Sequence, residues 1–226
     1  MGPDPRSRSL EGLVAIIAFV TQPAPPRFGR LRFLVSNAAV GALAAVALVV
    51  NVDALGDDFR ISLLLLIIYE ALLIVIVLFR RDVASIDRRL VPYGVALIAI
   101  TTPFWLRPEK VGEDLLAGEV VQIAALLLHL TALGSLGRSF GVVPANRGVK
   151  TGGAYRWVRH PMYAADILGQ AGFLISHRTL LNATAVVVAV VTQSARIHFE
   201  EQHLARDPEY ADYMTRHRWR LVPGVW

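Results

Sequence analysis

A chain of 226 residues that is 54% hydrophobic, with a mean hydropathy of +0.49, carries more apolar surface than a soluble domain of this length buries. It has no cysteine, which excludes disulfides, thiolate metal ligands and a cysteine nucleophile. The net charge of +5 and pI near 10.0 do not point to nucleic acid, because the basic residues cluster beside apolar runs, as membrane topology requires.

Residues 1–32 read as a cytoplasmic or interfacial arm. Leu13 to Val20 is apolar but short, and Pro23, Pro25 and Pro26 follow it without a clear small-residue cleavage site, so a cleaved signal is the weaker reading. Residues 33–133 carry four apolar runs, each near the roughly 20 residues that a spanning helix needs. They are Phe33–Val50, Ile61–Phe79 with Glu70 near its middle, Leu90–Leu106 with Pro92 and Pro103 near its ends, and Leu115–Leu133 with Gln122 and His129 inside it. Gly134 to Gly153 holds six glycines and Pro144, which predicts a loop rather than a strand or helix. A shorter run, Ala164–Ile175, and a longer one, Leu180–Ile197, are separated only by Ser176-His177-Arg178-Thr179 and read as a helical hairpin. Asp207-Pro208 reads as the start of a last helix, with Tyr210, Tyr213 and Met214 on one face. The expected fold is all-α: a polytopic bundle of about five to six membrane helices, with a C-terminal catalytic region over residues 134–226.

The basic residues orient this bundle. Arg27, Arg30 and Arg32 precede the first run, and Arg80, Arg81, Arg88 and Arg89 follow the second. Arg138, Arg147, Lys150, Arg156 and Arg159 follow the fourth, and Arg206, Arg216, Arg218 and Arg220 follow the hairpin. The opposite loops are acidic on balance. Cytoplasmic loops carry the excess of Lys and Arg, so both termini, the 135–163 loop and the 199–226 tail are expected on the cytoplasmic side.

Chemistry concentrates in Gly153-Ala154-Tyr155-Arg156-Trp157-Val158-Arg159-His160-Pro161-Met162-Tyr163 and, further on, in Glu200-Glu201. Together with Tyr210-Ala211-Asp212-Tyr213 and Arg220-Leu221-Val222-Pro223-Gly224, these segments resemble the isoprenylcysteine carboxyl methyltransferase family and the wider set of small membrane methyltransferases that includes phospholipid N-methyltransferases. The resemblance covers residues 134–226, and the earlier runs match only in being apolar. It implies S-adenosylmethionine as methyl donor, held at the cytoplasmic face by Tyr155, Arg159, His160, Pro161, Tyr163, Glu200 and Glu201. It also implies a lipophilic acceptor and, since the extra helices of the eukaryotic enzymes are lacking, the inner membrane of a prokaryote. The chain departs from the pattern after Tyr163, with Ala164-Ala165-Asp166 where many relatives have glycine and often glutamate.

The residue chemistry is compatible with this but less specific. Guanidinium and imidazole suit the donor's carboxylate, carboxylates suit its ribose and cationic end, and aromatic rings such as Tyr155 and Trp157 suit adenine or sulfonium. A carboxylate acceptor needs no base, whereas an amine or hydroxyl needs one, with Glu201 or His160 as candidates. Arg196 is a candidate to orient the acceptor. Plainer readings stand beside these. Arg156 and Arg159 suit interfacial anchors, Arg196 and Glu200 an ordinary intrahelical pair, and Glu70, Gln122 and His129 interhelical hydrogen bonding. Because adjacent helical residues diverge, only one of Glu200 and Glu201 is expected to point into a pocket. His177 reads as a turn residue and His198 and His203 as surface groups, with no metal-ligand spacing among them. Two other functions remain open: a nicotinamide-dependent membrane sterol reductase, which a similar Arg-His-Pro-x-Tyr region and Pro-Gly tail allow, and a non-catalytic scaffold. Met162 in place of the reductases' asparagine, and the paired glutamates, favour methyl transfer.

Overall fold

The computed structural model describes residues 38, 41–42, 44–53, 61–79, 85–87, 89–107, 115–141 and 145–226. The expected N-terminal arm, and the start of the first apolar run, lie outside the described residues.

Among the described residues, seven α-helices follow in chain order: α1 (Ala44–Asp53), α2 (Ile61–Phe79), α3 (Leu90–Thr101), α4 (Leu116–Leu136), α5 (Pro161–Ser176), α6 (Leu180–Leu204) and α7 (Pro208–Arg216). A 3-10 turn, Thr102–Trp105, continues α3. Among the described residues, Leu116–Ser139 and Leu180–Leu204 are long and apolar enough to cross a membrane, while Ala44–Asp53, Leu64–Phe79 and Leu90–Trp105 are shorter apolar helices. Only 17% of an apolar 18-residue stretch of the first long segment and 33% of one in the second is buried, whereas the core helix of a soluble protein is mostly buried. Val49, Leu78, Leu90, Leu180 and Val191 are all exposed, an outward apolar surface that suits lipid rather than water.

The second apolar run coincides with α2. The others shift at their ends for identifiable reasons. Gly137, with φ of 52°, closes α4, a left-handed conformation that glycine adopts without a Cβ penalty. Pro161 opens α5 at a position where its missing N–H costs no helical bond. The final run extends past Ile197 to Leu204, so that Glu200 and Glu201 sit on the same helix as the apolar segment. Asp207 caps α7 by accepting from the Glu209 N–H at 2.9 Å, with Pro208 at the first position. The 134–153 segment is not purely loop. Ala145–Asn146 forms a two-residue antiparallel bridge with Ser85–Ile86, which stitches the α4–α5 connection to the α2–α3 connection.

The principal seam is between α4 and α5, which run antiparallel and pack more extensively than any other pair. Gly118 approaches Gly172 and Ser176, Gln122 approaches Gly172, and Ala125 approaches Gly169. Small residues at this spacing let helix backbones come into contact. On the other side of α4, Ile76, Val77, Leu133 and Phe140 form a buried apolar cluster with α2. At the far end, the fully buried Asn182 ties the α5–α6 turn to the end of α3. Its Oδ1 accepts from the Arg107 N–H at 2.9 Å, and its Nδ2 donates to the carbonyls of Arg107 and His177, each at 2.9 Å.

Candidate active site

Gly153 begins the motif with φ of 59° and lies so close to Ser135 that a Cβ there would overlap the hydroxyl. The Ala154 N–H donates to that hydroxyl at 3.2 Å, which pins the motif to the end of α4. A single 3-10 turn, Gly153–Arg156, then buries Tyr155 while Trp157 stays exposed. The Tyr213 hydroxyl donates to the Tyr155 carbonyl at 2.6 Å, so α7 clamps the turn. Burial pushes the Tyr155 and Tyr210 phenols well above their ordinary value, and that of Tyr213 up to about 12, so all three stay neutral at physiological pH.

The next residues are held by the tail. The Arg159 N–H donates to the Trp219 carbonyl and the His160 N–H to the Arg220 carbonyl, both at 2.9 Å. This strap brings two guanidinium groups and an imidazole onto one carboxylate. Glu201 Oε1 lies 2.9 Å from Arg159 Nε and 3.1 Å from His160 Nε2, and its Oε2 accepts from Arg220 Nε at 2.9 Å. Glu201, Arg159 and His160 are buried, and Arg220 is half-buried. A buried charge of this kind persists only when it is paired.

Glu200 points elsewhere. It accepts from the Tyr163 hydroxyl at 2.5 Å and lines a cavity of about 910 Å³. Adjacent glutamates on one helix therefore divide, one into the wall and one into the cavity, as the helical geometry predicts. The Tyr163 ring stacks on His160 with centroids 5.6 Å apart, and the Arg196 guanidinium lies over the Tyr163 ring, 4.6 Å from its centroid. Of the residues expected to carry function, Tyr155, Arg159, His160, Tyr163, Arg196 and Glu200 line the cavity. Pro161 is buried at the first turn of α5 and fixes the backbone after His160.

The cavity continues between the helices toward the hairpin end. There its lining is mostly apolar, with Leu66, Leu73, Ile100, Phe104, Leu126 and Phe173. Glu70 borders it and accepts from Asn51 Nδ2 at 2.8 Å, the bundle-paired acid of the plainer expectation. His129 borders it as well, 3.0 Å from Asp166, with its ring stacked on Tyr69 at 4.8 Å. Gln193 joins this group by donating to Asp166 at 2.9 Å and accepting from Arg196 at 3.1 Å. No sequence signal marked Gln193, because a lone amide in an apolar helix shows its partner only once the helices are packed.

Two further histidines lie away from this group. His177 caps α5 at the turn and packs on Phe173 with centroids 4.5 Å apart. His203, expected at the surface, is buried, because α6 runs on past the apolar segment and brings it near Asp87. Among the described residues no group of three His, Cys, Asp or Glu is placed to hold a metal ion.

Among curated proteins none matches the chain. The phospholipid methyltransferase family model matches residues 115–210, from α4 into α7, a segment that carries the Arg159–Tyr163 motif, both glutamates and most of the cavity wall.

Proposed function

We propose that this chain is a multi-pass membrane methyltransferase that uses S-adenosylmethionine to methylate a lipophilic acceptor, with its cofactor end on the cytoplasmic side. The observation that carries the reading is the cavity: one end is walled by the motif and the glutamate pair of a methyltransferase family segment, and the other is apolar. A volume of about 910 Å³ lies at the upper end of ligand pockets, which run from roughly 300 to 1,000 Å³, and suits a donor and an acceptor together. Among the described residues, Glu70 Oε2 and Gln170 Oε1 are buried without a hydrogen-bond partner and belong to residues of this lining, which suits polar ligand groups.

Tyr155, Arg159, His160, Tyr163 and Glu200 would hold the cofactor. When bound, S-adenosylmethionine supplies an electrophilic methyl group on a sulfonium. The chain contributes orientation and exclusion of water. Glu200 and the Tyr163 phenol offer acceptor and donor groups to hydroxyls, and Lys150 and Arg147 add positive charge to the lining. Glu201 acts through its neighbours, because its carboxylate is already shared among Arg159, His160 and Arg220.

Calorimetric titration of the detergent-purified protein with S-adenosylmethionine and, separately, NADPH tests the reading. Micromolar binding of the first alone is expected, with loss in His160→Ala and Glu201→Gln while the helical circular dichroism persists. NADPH binding alone would move the chain to the reductases, and binding of neither would leave a scaffold.

A further inference from the structure

The motif network leaves one titratable pair in the cavity unused. His129 of α4 and Asp166 of α5 meet at 3.0 Å inside the bundle, and both line the cavity. We propose that His129, oriented by Asp166, is the general base that takes a proton from the methyl acceptor, so the acceptor is an N–H or O–H nucleophile rather than a carboxylate. This rests on the methyltransferase reading above.

Three observations carry it. The first is elimination. Glu201 and His160, the bases expected from sequence, are locked against each other and against two arginines, and a carboxylate paired with two guanidinium groups is a poor proton acceptor. The second is orientation. Asp166 Oδ2 is held by Gln193, itself bonded to Arg196, which leaves Oδ1 toward His129 Nε2 and Nδ1 as the ring's second nitrogen. A carboxylate beside one imidazole nitrogen selects the tautomer whose other nitrogen accepts a proton. The 3.0 Å contact lacks hydrogen-bond alignment, and contacts of this kind tighten when substrate binds. The third is depth. Asp166 follows Tyr163 by three residues on α5, about 4.5 Å further along the axis. The pair thus sits where the polar wall gives way to Leu66, Leu126 and Phe173, the level at which an amphiphile's reactive head would rest with its chain in the apolar part. The groups around the ring are Tyr69 of α2, Asp166 of α5 and, across Gln193, Arg196 of α6, while Glu70 of α2 lines the same cavity.

The step balances. The nucleophile's electron pair forms the new bond to the methyl carbon as the carbon–sulfur bond breaks and its pair stays on sulfur. The N–H or O–H proton passes to the imidazole, and the imidazolium is held against the Asp166 carboxylate.

The test uses the full chain in lipid nanodiscs with radiolabelled S-adenosylmethionine and three probes: phosphatidylethanolamine vesicles for an amine, nonylphenol for a hydroxyl, and S-farnesylthiopropionic acid for a carboxylate. Transfer to the amine or the hydroxyl is expected, falling about 100-fold or more in His129→Gln, the scale of general-base catalysis, with cofactor affinity within twofold of the native chain. Asp166→Asn, which keeps the packing, is expected to slow transfer and to move the acid limb of its pH profile to lower pH. Transfer to the carboxylate alone, transfer to none of the three with cofactor bound, or an unchanged rate and pH profile in the two variants would each overturn the proposal. Absence of cofactor binding in the native chain would instead sink the methyltransferase reading beneath it.

Discussion

The α4–α5 seam has two halves built on opposite principles. Near the hairpin, Gly118, Ala125, Gly169 and Gly172 remove side chains, and the helices touch along their backbones. Toward the motif, the same two helices present His129 and Asp166 to each other, and the cavity opens beside them. The first half gains from dispersion between backbones, which lipid does not compete for. The second half gives up that contact and places ionisable groups inside the bundle, where such groups are costly and mark function. A stiff half therefore sets the register in which the reactive half is held.

The largest effect should come from breaking the stiff half. A Cβ at Gly172 would lie 2.9 Å from both the Gln122 Cγ and backbone N, and 3.0 Å from the Gly118 carbonyl. Backbone atoms there do not yield, so Gly172→Leu is expected to cost about 3 kcal/mol, the upper end of overpacking losses. It should appear as a marked fall in the detergent melting temperature, and an unchanged melt would show that the seam is looser than described. A control on the partner helix α4 sharpens the contrast. A Cβ at Gly134 meets nothing within 4 Å, and the position is exposed. Gly134→Ala is expected to raise stability by up to about 1 kcal/mol through backbone entropy, again read from the melt.

The smallest effect lies outside the seam, at the start of α3. Asp87 accepts from the Arg89 side chain and backbone N–H, and those hydrogen bonds lower its pKa from 3.8 to about 2. A carboxyl whose folded value is depressed stabilises the fold above its unfolded value and loses that contribution as protons bind. The contribution is thus whole above about pH 4 and fades toward pH 2. Melts recorded across that window should show an acid-dependent loss that Asp87→Asn abolishes. A persistent slope in that variant would assign it to another group.

Apolar runs located the helices because hydropathy reports contact with lipid. The bounds of α2 follow from its run directly, since charged residues flank it on both sides. The same measure stops short on α6, where His198 to Leu204 turn polar while the helix continues, because that turn serves the site rather than the membrane. The motif and the glutamate pair were legible as a local pattern, and the structure brings them within hydrogen-bonding reach. Nothing local, however, reveals that Arg220 returns to Glu201, or that Gln193, Asp166 and His129 converge from three helices. Those meetings depend on helix register, which the glycines of the seam determine.

The strap of Trp219 and Arg220 across Arg159 and His160 also bears on how the protein is made. Every helix described is synthesised before these two residues leave the ribosome. The helices can thus pack while the Glu201 end still lacks a wall. Folding then has a built-in order among the described residues: the helices can form first, and the wall around Glu201 closes only when the strap arrives.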